Sequence, residues 1–227
     1  MPERPLVSVI IPVKNGARFL PQALADVHAQ TYAQREVIVV DGRSTDRSAE
    51  IARSSPGVRC VTQPGEGFAD AWNVGIAASS GDLIAFLDSD DRWTPEKLAT
   101  QVDVLERRPE VDYVITRVRF FLEPGVAPPP GFRHSLLSGD HVANMPSALL
   151  TRRRVFEQIG EFPTDLSIAN DIEWFARLKD AGLAHEVVPE TMVMKRVHDS
   201  NLSYFAAEEF NRELLHVLRE SVARKNA

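Results

Sequence analysis

Three aspartates, Asp88, Asp90 and Asp91, lie within four consecutive positions directly after the apolar run 83–87. Carboxylates this close repel one another, and a bound cation relieves the repulsion, so the cluster favours a site for a hard divalent metal. A solvated acidic turn is the alternative. A Ca²⁺-binding hand loop is disfavoured, because it requires Asp or Asn and then Gly where this chain continues with Arg-Trp.

Further candidates for chemistry lie elsewhere in the chain. Asp41 ends another apolar run, and Asp171 lies at the start of a predicted helix with Trp174 one turn later. A carboxylate at a helix start is either an N-terminal cap or, on the acceptor side of an enzyme, a general base. His198 is either a surface residue or an imidazole ligand that joins carboxylates around Mn²⁺.

Positioning these side chains requires a scaffold, and the first part of the chain predicts one. Short β-branched runs alternate there with amphipathic stretches. Strands are predicted at 6–11, 36–40, 58–61 and 83–87, the first stopped by Pro12, and helices at 19–27, 44–51, 67–78 and 94–108. This alternation predicts an α/β fold with a mostly parallel sheet covered on both faces, and such sheets bind ligands beyond the carboxyl ends of their strands.

The remainder of the chain is less regular. The alternating run 113–122 predicts a strand at the sheet edge, and the prolines of 123–131 predict a loop. Helices are predicted at 152–158, 171–181 and 205–224, with a strand pair at 186–197. We therefore divide one domain into two halves, 1–123 and 124–227.

Composition narrows the class of protein. A chain with 44% hydrophobic and 26% charged residues packs a core, and a net charge of −6 argues against nucleic-acid binding. One cysteine forbids an internal disulfide, as in a reducing compartment. The apolar stretches are too short for a transmembrane segment or a signal peptide. We predict a cytoplasmic protein, with peripheral attachment at the inner membrane face and homodimer formation both open.

Four segments resemble the successive blocks of family 2 glycosyltransferases, in that family's order and spacing. They are Val-Ser-Val-Ile-Ile-Pro-Val-Lys-Asn (7–15), Val-Val-Asp-Gly-Arg-Ser-Thr-Asp (39–46), Gln-Pro-Gly-Glu-Gly-Phe-Ala-Asp-Ala-Trp-Asn-Val-Gly-Ile (63–76) and Phe-Leu-Asp-Ser-Asp-Asp (86–91). Segment 170–174 resembles the family's acceptor-side acidic motif, and 196–203 its terminal basic-histidine segment. The resemblance spans about nine tenths of the chain. It implies an α/β domain of the GT-A type, with a smaller acceptor-side subdomain.

For the donor, the resemblance implies a nucleotide-diphosphate sugar, with UDP as the commonest nucleotide of the family. The backbone of Pro12 and Val13 would face the nucleoside, and Asp41 would accept a hydrogen bond from the ring N–H of the base. Asp88 and Ser89 would contact the ribose or the water shell of the metal. The transfer would invert the anomeric carbon.

For the metal and the acceptor, the resemblance implies five further roles. Asp90 would coordinate Mn²⁺ or Mg²⁺, which stabilises the departing diphosphate as a Lewis acid, and His198 would complete its ligand shell. Arg196 would contact the diphosphate, with an exposed position at a strand end as the alternative. Asp171 would be the general base, while Trp174 would either floor the acceptor pocket or pack in the core. The acceptor itself, a saccharide, lipid-linked intermediate, peptide or small molecule, is left open.

Several neighbouring charged side chains are expected to lie in solvent, some of them with a functional alternative. Glu173 is predicted to face solvent. The arginine run 152–154 is predicted to form the solvated start of a helix, with contact to an anionic acceptor or lipid headgroups as the alternative. Lys195 is predicted either to be exposed at a strand end or to reach the diphosphate.

The chain departs from the commonest family pattern at Lys14, Gly42, Trp72 and Asn170. Because of these departures, the identity of the donor is the part of the function that the sequence determines least.

Three other functions are weighed against this one. A sugar-phosphate nucleotidyltransferase needs a glycine-rich loop around a triphosphate, and segment 12–16 has one glycine. A phosphatase with an Asp-x-Asp nucleophile is disfavoured because the motif follows the fourth strand. A non-catalytic nucleotide- or sugar-binding module is disfavoured by the joint presence of Asp41, Asp90 and Asp171.

Overall fold

The computed structural model describes residues 4–129, 132–198 and 207–225, and these form nine strands and seven α-helices. The strands are β1 (Val7–Val13), β2 (Arg35–Asp41), β3 (Val58–Thr62), β4 (Leu83–Phe86), β5 (Arg92–Trp93), β6 (Tyr113–Leu122), β7 (His141–Val142), β8 (Leu149–Arg152) and β9 (His185–Val197). The helices are α1 (Leu20–His28), α2 (Ser48–Ser54), α3 (Gly67–Ala78), α4 (Lys97–Arg107), α5 (Arg154–Ile159), α6 (Asn170–Asp180) and α7 (Ala207–Lys225).

All the described strands join one sheet in the order β3-β2-β1-β4-β8-β6-β9-β5, with β7 paired to β6. Strands β3, β2, β1 and β4 are parallel neighbours, and β6 is parallel to β9. Strand β8 runs antiparallel between β4 and β6. The predicted α/β sheet is confirmed, and because β8 comes from 124–227, both halves of the chain build the same sheet.

Helices cover the sheet on both faces, which explains the nearly continuous apolar strands. Val9 and Ile11 of β1 belong to the core that contains the buried side chains of α1 and α4. Ile10 belongs to the opposite core, which contains those of α3 and α6. Gly75 brings α3 so close to β1 that a Cβ there would lie 2.3 Å from the Ile10 side chain. The sheet therefore has a buried core on each face.

Strand β1 continues through Pro12 to Val13, so the prediction that Pro12 stops the strand is wrong. On the β4 side of β1, the Ile10 carbonyl accepts a hydrogen bond from the Leu87 N–H. On the β2 side, the Val13 carbonyl accepts one from the Gly42 N–H. Because backbone groups alternate along a strand, Pro12 faces the β4 side, beyond the point where β4 ends. A proline there costs no ladder hydrogen bond.

Two further predictions about strands are wrong. Strand β6 is interior rather than at the edge, since it pairs with β8 and with β9. The predicted strand pair is the single strand β9, whose register against β6 shifts between Val188 and Thr191. That irregularity accommodates Pro189, which has no N–H to donate to a regular ladder.

Helix α7 matches the predicted C-terminal helix and packs against α6. Its Val217 is 2% exposed, whereas Leu218 and Val222 are more than half exposed. Among the residues that the structure describes, no helix combines the length and the apolar character needed to cross a bilayer.

Candidate active site

The loops after β1, β2 and β4 meet at one edge of the sheet. Val13 lies opposite Asp41 in the β1–β2 register, and Gly42 donates its N–H to the Val13 carbonyl at 2.8 Å. Gly16 brings the loop after β1 to the loop after β4, since a Cβ there would lie 3.1 Å from the Ser89 Oγ. The structure therefore brings together the positions predicted to contact the nucleotide.

Hydrogen bonds between the loop after β1 and the loop after β2 hold a residue of each loop at a positive φ angle. Asn15 and Arg43 have positive φ angles of 54° and 58°, which cost energy for residues other than glycine. Asn15 Oδ1 accepts the Thr45 N–H at 2.8 Å, and the Asn15 N–H donates to the Ser44 Oγ at 2.9 Å. Asp41, only 4% exposed, accepts the Ser44 N–H at 3.2 Å. Its carboxylate is thus oriented by the protein itself.

The end of β9 carries two basic side chains to the acidic cluster after β4. Lys195 Nζ lies 2.9 Å from Asp88 Oδ2 and 3.1 Å from Asp91 Oδ2. His198 Nε2 lies 2.8 Å from Asp90 Oδ2. The antiparallel pairing of β5 with β9 creates this meeting, because β5 directly follows the aspartates. His198 and Asp90 are therefore neighbours, as shared metal ligation would require.

Lys195 acts as a built-in countercharge for the cluster. Burial opposes its charge, but Asp88, Asp91 and Asp90 outweigh burial and raise the pKa of Lys195 well above its usual value. Burial, opposed by Lys195, raises the pKa of Asp91, which is 1% exposed. For Asp90, Lys195 and the His198 hydrogen bond outweigh burial and lower the pKa. The ammonium group is thus charged at neutral pH, and of the two alternatives for Lys195 the exposed one is wrong.

Arg196 points away from Lys195 and is 2% exposed. Its Nε donates to the Asp90 carbonyl at 2.8 Å, and its Nη2 donates to the Gln22 Oε1 at 2.7 Å. It also forms an ion pair with Glu123, and its guanidinium lies 4.7 Å from the centre of the Phe19 ring. These contacts hold the acidic loop in place, and a contact with the diphosphate stays a prediction.

The cluster fits a divalent cation. Asp88, Asp90 and Asp91 each offer a carboxylate oxygen, and these oxygens lie within 4.8 Å of one another. Asp88 Oδ1 is buried and has no hydrogen-bond partner among the described residues, which is the state expected of a ligand atom without its metal. Carboxylate oxygens with an imidazole suit Mn²⁺, and carboxylates alone suit Mg²⁺.

The countercharge leads to a prediction about metal affinity. Replacing Lys195 by Met is expected to strengthen Mn²⁺ binding without nucleotide by at least about tenfold, because a like charge about 4 Å away costs several kcal/mol at an effective dielectric constant of about 20. A titration followed by electron paramagnetic resonance of free Mn²⁺ measures the change. Lys179→Met, an exposed lysine of α6, is the control. Equal or weaker binding by the Lys195 variant would contradict this role.

Helix α6 carries Asp171 at its second residue. Its Oδ1 accepts the Ile172 N–H at 2.8 Å. Burial raises the pKa of Asp171 to about 6. The charge of Asp88 also acts to raise this pKa, whereas the Ile172 hydrogen bond and the charge of Lys195 act to lower it. Asp171 therefore lies within electrostatic range of the acidic cluster. A carboxylate with a raised pKa is a better proton acceptor than an ordinary aspartate.

The other predicted residues of α6 are structural. Trp174 is 0% exposed, donates its indole N–H to the Gly160 carbonyl at 3.0 Å, and packs 4.8 Å from the Phe162 ring. It therefore belongs to the core and does not floor a pocket. Glu173, predicted to face solvent, is buried and pairs with Arg177 at 2.7 Å. Apolar and ionic contacts thus fix the helix that holds Asp171.

The arginine run 152–154 is also structural. Arg152 Nη2 donates to the Leu105 carbonyl at 2.7 Å, and Arg153 Nε donates to the Gly81 carbonyl at 2.7 Å. The prediction of a solvated run is wrong for these two, because they satisfy carbonyl groups at the ends of neighbouring elements. Sequence reasoning missed Ser147, a fully buried hydroxyl that accepts the Asp88 N–H at 3.1 Å. No sequence motif marks it.

A cavity of about 260 Å³ opens beside the start of α6. Its lining comes from the start of α3 and from the loop before α6: Glu66, Gly67, Ala69, Thr164, Leu166, Ser167 and Asn170. Asn170 of this lining directly precedes Asp171 in the chain, and the hydroxyl and amide groups of the cavity suit a ligand rich in hydroxyls.

Comparisons with known sequences identify a protein family. The family model described as glycosyl transferase family 2 matches residues 8–175. An uncharacterized glycosyltransferase of Rickettsia typhi, RT0329, is 28% identical over 226 residues, which cover 90% of this chain and 68% of that protein. The glycosyltransferase AglE of Haloferax volcanii is 33% identical over 202 residues, which cover 81% of this chain and 66% of that protein.

Solved structures show the same fold. TarS residues 1–349 of S. aureus, in complex with UDP-GlcNAc, give a TM-score of 0.75 at 19% identity, covering 96% of this chain and 66% of that one. The mannosyltransferase PcManGT of Pyrobaculum calidifontis, in complex with GDP-Man and Mn²⁺, gives 0.72 at 23% identity, covering 98% and 65%. The likeness confirms the predicted GT-A fold. The chain spans about two thirds of the length of these four relatives.

Proposed function

The chain belongs to glycosyl transferase family 2, and from that premise we propose that it transfers a sugar from a nucleotide-diphosphate donor to an acceptor, with inversion and with the help of Mn²⁺ or Mg²⁺. The observation that carries the proposal is the cluster of Asp88, Asp90 and Asp91, joined by His198 at the carboxyl edge of the sheet. Asp171, with its raised pKa, lies within electrostatic range of that cluster.

The donor is proposed to bind across the ends of β1, β2 and β4. Pro12 and Val13 offer backbone groups there, Asp41 offers an oriented carboxylate for the base, and Asp88 and Ser89 follow β4. Structural relatives hold UDP-GlcNAc and GDP-Man, which supports a nucleotide-diphosphate sugar. We propose a UDP-sugar, with a GDP-sugar as the alternative outcome of the binding test below.

The proposed chemistry uses a carboxylate on each side of the donor. A cation held by Asp90, with Asp88 and His198, would stabilise the negative charge of the departing diphosphate. On the other side, Asp171 accepts the proton of the acceptor hydroxyl. The hydroxyl oxygen forms a bond to the anomeric carbon as the bond from that carbon to the diphosphate oxygen breaks. Attack opposite to the leaving group inverts the configuration.

The acceptor is proposed to enter through the cavity beside α6. Thr164, Ser167 and Asn170 supply polar groups to its lining, and Asp171 comes next in the chain. A saccharide or another hydroxyl-bearing acceptor fits this lining by hydrogen bonding. An acceptor in this cavity would lie beside the start of α6, the helix that carries Asp171.

Nucleotide binding tests the proposal without knowledge of the acceptor. UDP with Mn²⁺ is expected to raise the midpoint of thermal unfolding by about 5 °C or more at a hundredfold excess over its Kd, because ligand binding to the folded state alone stabilises by about 2.7 kcal/mol. GDP with Mn²⁺ is the parallel arm, and UMP with Mn²⁺ is the control. A midpoint that neither diphosphate raises above the control would contradict the proposal.

A further inference from the structure

The start of α6 is capped by a residue from another helix. The N-cap residue of α6 is Ala169, which makes no side-chain capping hydrogen bond. Instead, Glu213 of α7 reaches the preceding loop: its Oε1 accepts the Ser167 N–H at 2.7 Å. Its Oε2 accepts the N–H groups of Ile168 and Ala169 at 2.9 and 2.8 Å. One carboxylate therefore satisfies three successive backbone donors ahead of the helix.

This contact has the chemistry of a strong structural clamp. Of the three donors, Ala169 is the N-cap residue of α6, whose N–H has no partner within the helix, and the positive end of the helix attracts an anion. Glu213 is 8% exposed. Burial acts to raise its pKa, but the three amide hydrogen bonds outweigh burial and hold the pKa below its usual value. The side chain is thus charged at neutral pH, and charge-assisted bonds are the stronger kind.

A second set of contacts joins the far part of α7 to the remainder of α6. Arg224 Nη1 lies 3.1 Å from a Glu173 carboxylate oxygen, and its Nε lies 3.0 Å from an Asp180 oxygen. Ser221 donates to the other Asp180 oxygen at 2.9 Å. Helix α7 therefore holds α6 along its length, and Glu213 fixes the end at which Asp171 lies.

We propose that Glu213 is a positioning residue for Asp171, which it holds in place through the clamped loop two residues before it. The inference rests on the proposed function, in which Asp171 is the general base. Glu213 touches no reacting atom, so its effect is on geometry. A displacement of about 1 Å at a reacting group can cost about a hundredfold in rate.

The surroundings of the Asp171 carboxyl group can be measured without any substrate. Its carboxyl carbon is followed by NMR through a pH titration in the parent, Glu213→Ala and Glu213→Gln proteins. The parent is expected to titrate at about 6. Charged neighbours from other elements, Asp88 and Lys195, are unchanged in the variants. Loss of the clamp exposes the carboxyl to water, so its midpoint is expected to fall by about one pH unit or more toward the ordinary aspartate value.

The variants differ in a way that a purely structural loss would not reproduce. Gln keeps an oxygen for Ile168 and Ala169 but turns an NH₂ group toward the Ser167 N–H, so its shift is expected to be smaller than that of Ala. Glu220→Ala, an exposed glutamate of the same helix, is the control and leaves the midpoint unchanged. Thermal unfolding confirms that each variant is folded, and Glu213→Gln decides the question if Glu213→Ala is not.

An unchanged Asp171 midpoint in a folded Glu213 variant overturns the inference. A lowered midpoint supports it, and Mn²⁺-dependent hydrolysis of UDP-GlcNAc or GDP-mannose then tests the proposed function separately. A fall of about a hundredfold in hydrolysis with nucleotide affinity unchanged supports both. A lowered midpoint with full hydrolysis supports the clamp and counts against Asp171 as the base.

Discussion

Replacing Asp171 by Asn is expected to lower sugar transfer by about two to four orders of magnitude, the usual contribution of a positioned general base. The amide has nearly the same shape and keeps an oxygen for the Ile172 N–H, but it cannot take a proton from the acceptor. Transfer rates at saturating donor measure the loss. Because the donor side is untouched, the UDP-induced rise in unfolding midpoint is expected to match that of the parent.

The pH dependence of the parent belongs to the same prediction. Only ionised Asp171 accepts a proton, so the rate is expected to fall as the pH decreases through about 6, where the carboxyl titrates. The variant is expected to lack this acid limb. Asp165→Asn, an exposed aspartate in the loop before α6, is the control. Near-parental transfer by Asp171→Asn would leave Asp171 as only a helix-start residue.

Replacing Asp90 by Ala is expected to abolish most of the response to Mn²⁺. A cation that carries the charge of the leaving group is worth several kcal/mol, which corresponds to about a thousandfold in rate. The variant loses one carboxylate of the cluster and leaves His198 without its Asp90 contact. The measurements are the transfer rate and the thermal midpoint, each with UDP and with or without Mn²⁺.

A control for the Asp90 variant is Asp103→Ala, which removes an exposed carboxylate of α4 that pairs with Arg4. It is expected to keep the full metal response. A metal response retained by Asp90→Ala would remove Asp90 from the metal site, and Asp88 or Asp91 would have to supply the ligands instead.

The parallel part of the sheet and its functional edge could be predicted from the sequence, because both depend on local patterns. Short β-branched runs separated by amphipathic segments specify buried parallel strands, and Asp41 and Asp88 follow two of them directly. The placement of β9 could not be predicted in this way. Its pairing with β6 and β5 joins residues far apart in the chain, and no local pattern encodes that choice.

The wrong predictions about side chains concern charged groups that the fold buries wholly or in part. Glu173 and Lys195 look like surface residues in the sequence, since charged residues are rarely buried unless they are paired. Their partners, Arg224 from α7 and Asp88 from the loop after β4, come from distant segments. Glu213 was missed for the same reason. Its role exists only because α7 packs across the start of α6.

The most direct test of the proposed reaction identifies the phosphate product. The purified protein is incubated with a panel of UDP- and GDP-sugars, with and without Mn²⁺, and the products are followed by phosphorus NMR. Release of a nucleoside diphosphate that requires the cation, and that Asp90→Ala and Asp171→Asn both lose, is the expected result. Release of a nucleoside monophosphate with a sugar 1-phosphate, or no product from any donor of the panel, would contradict metal-assisted glycosyl transfer at this site.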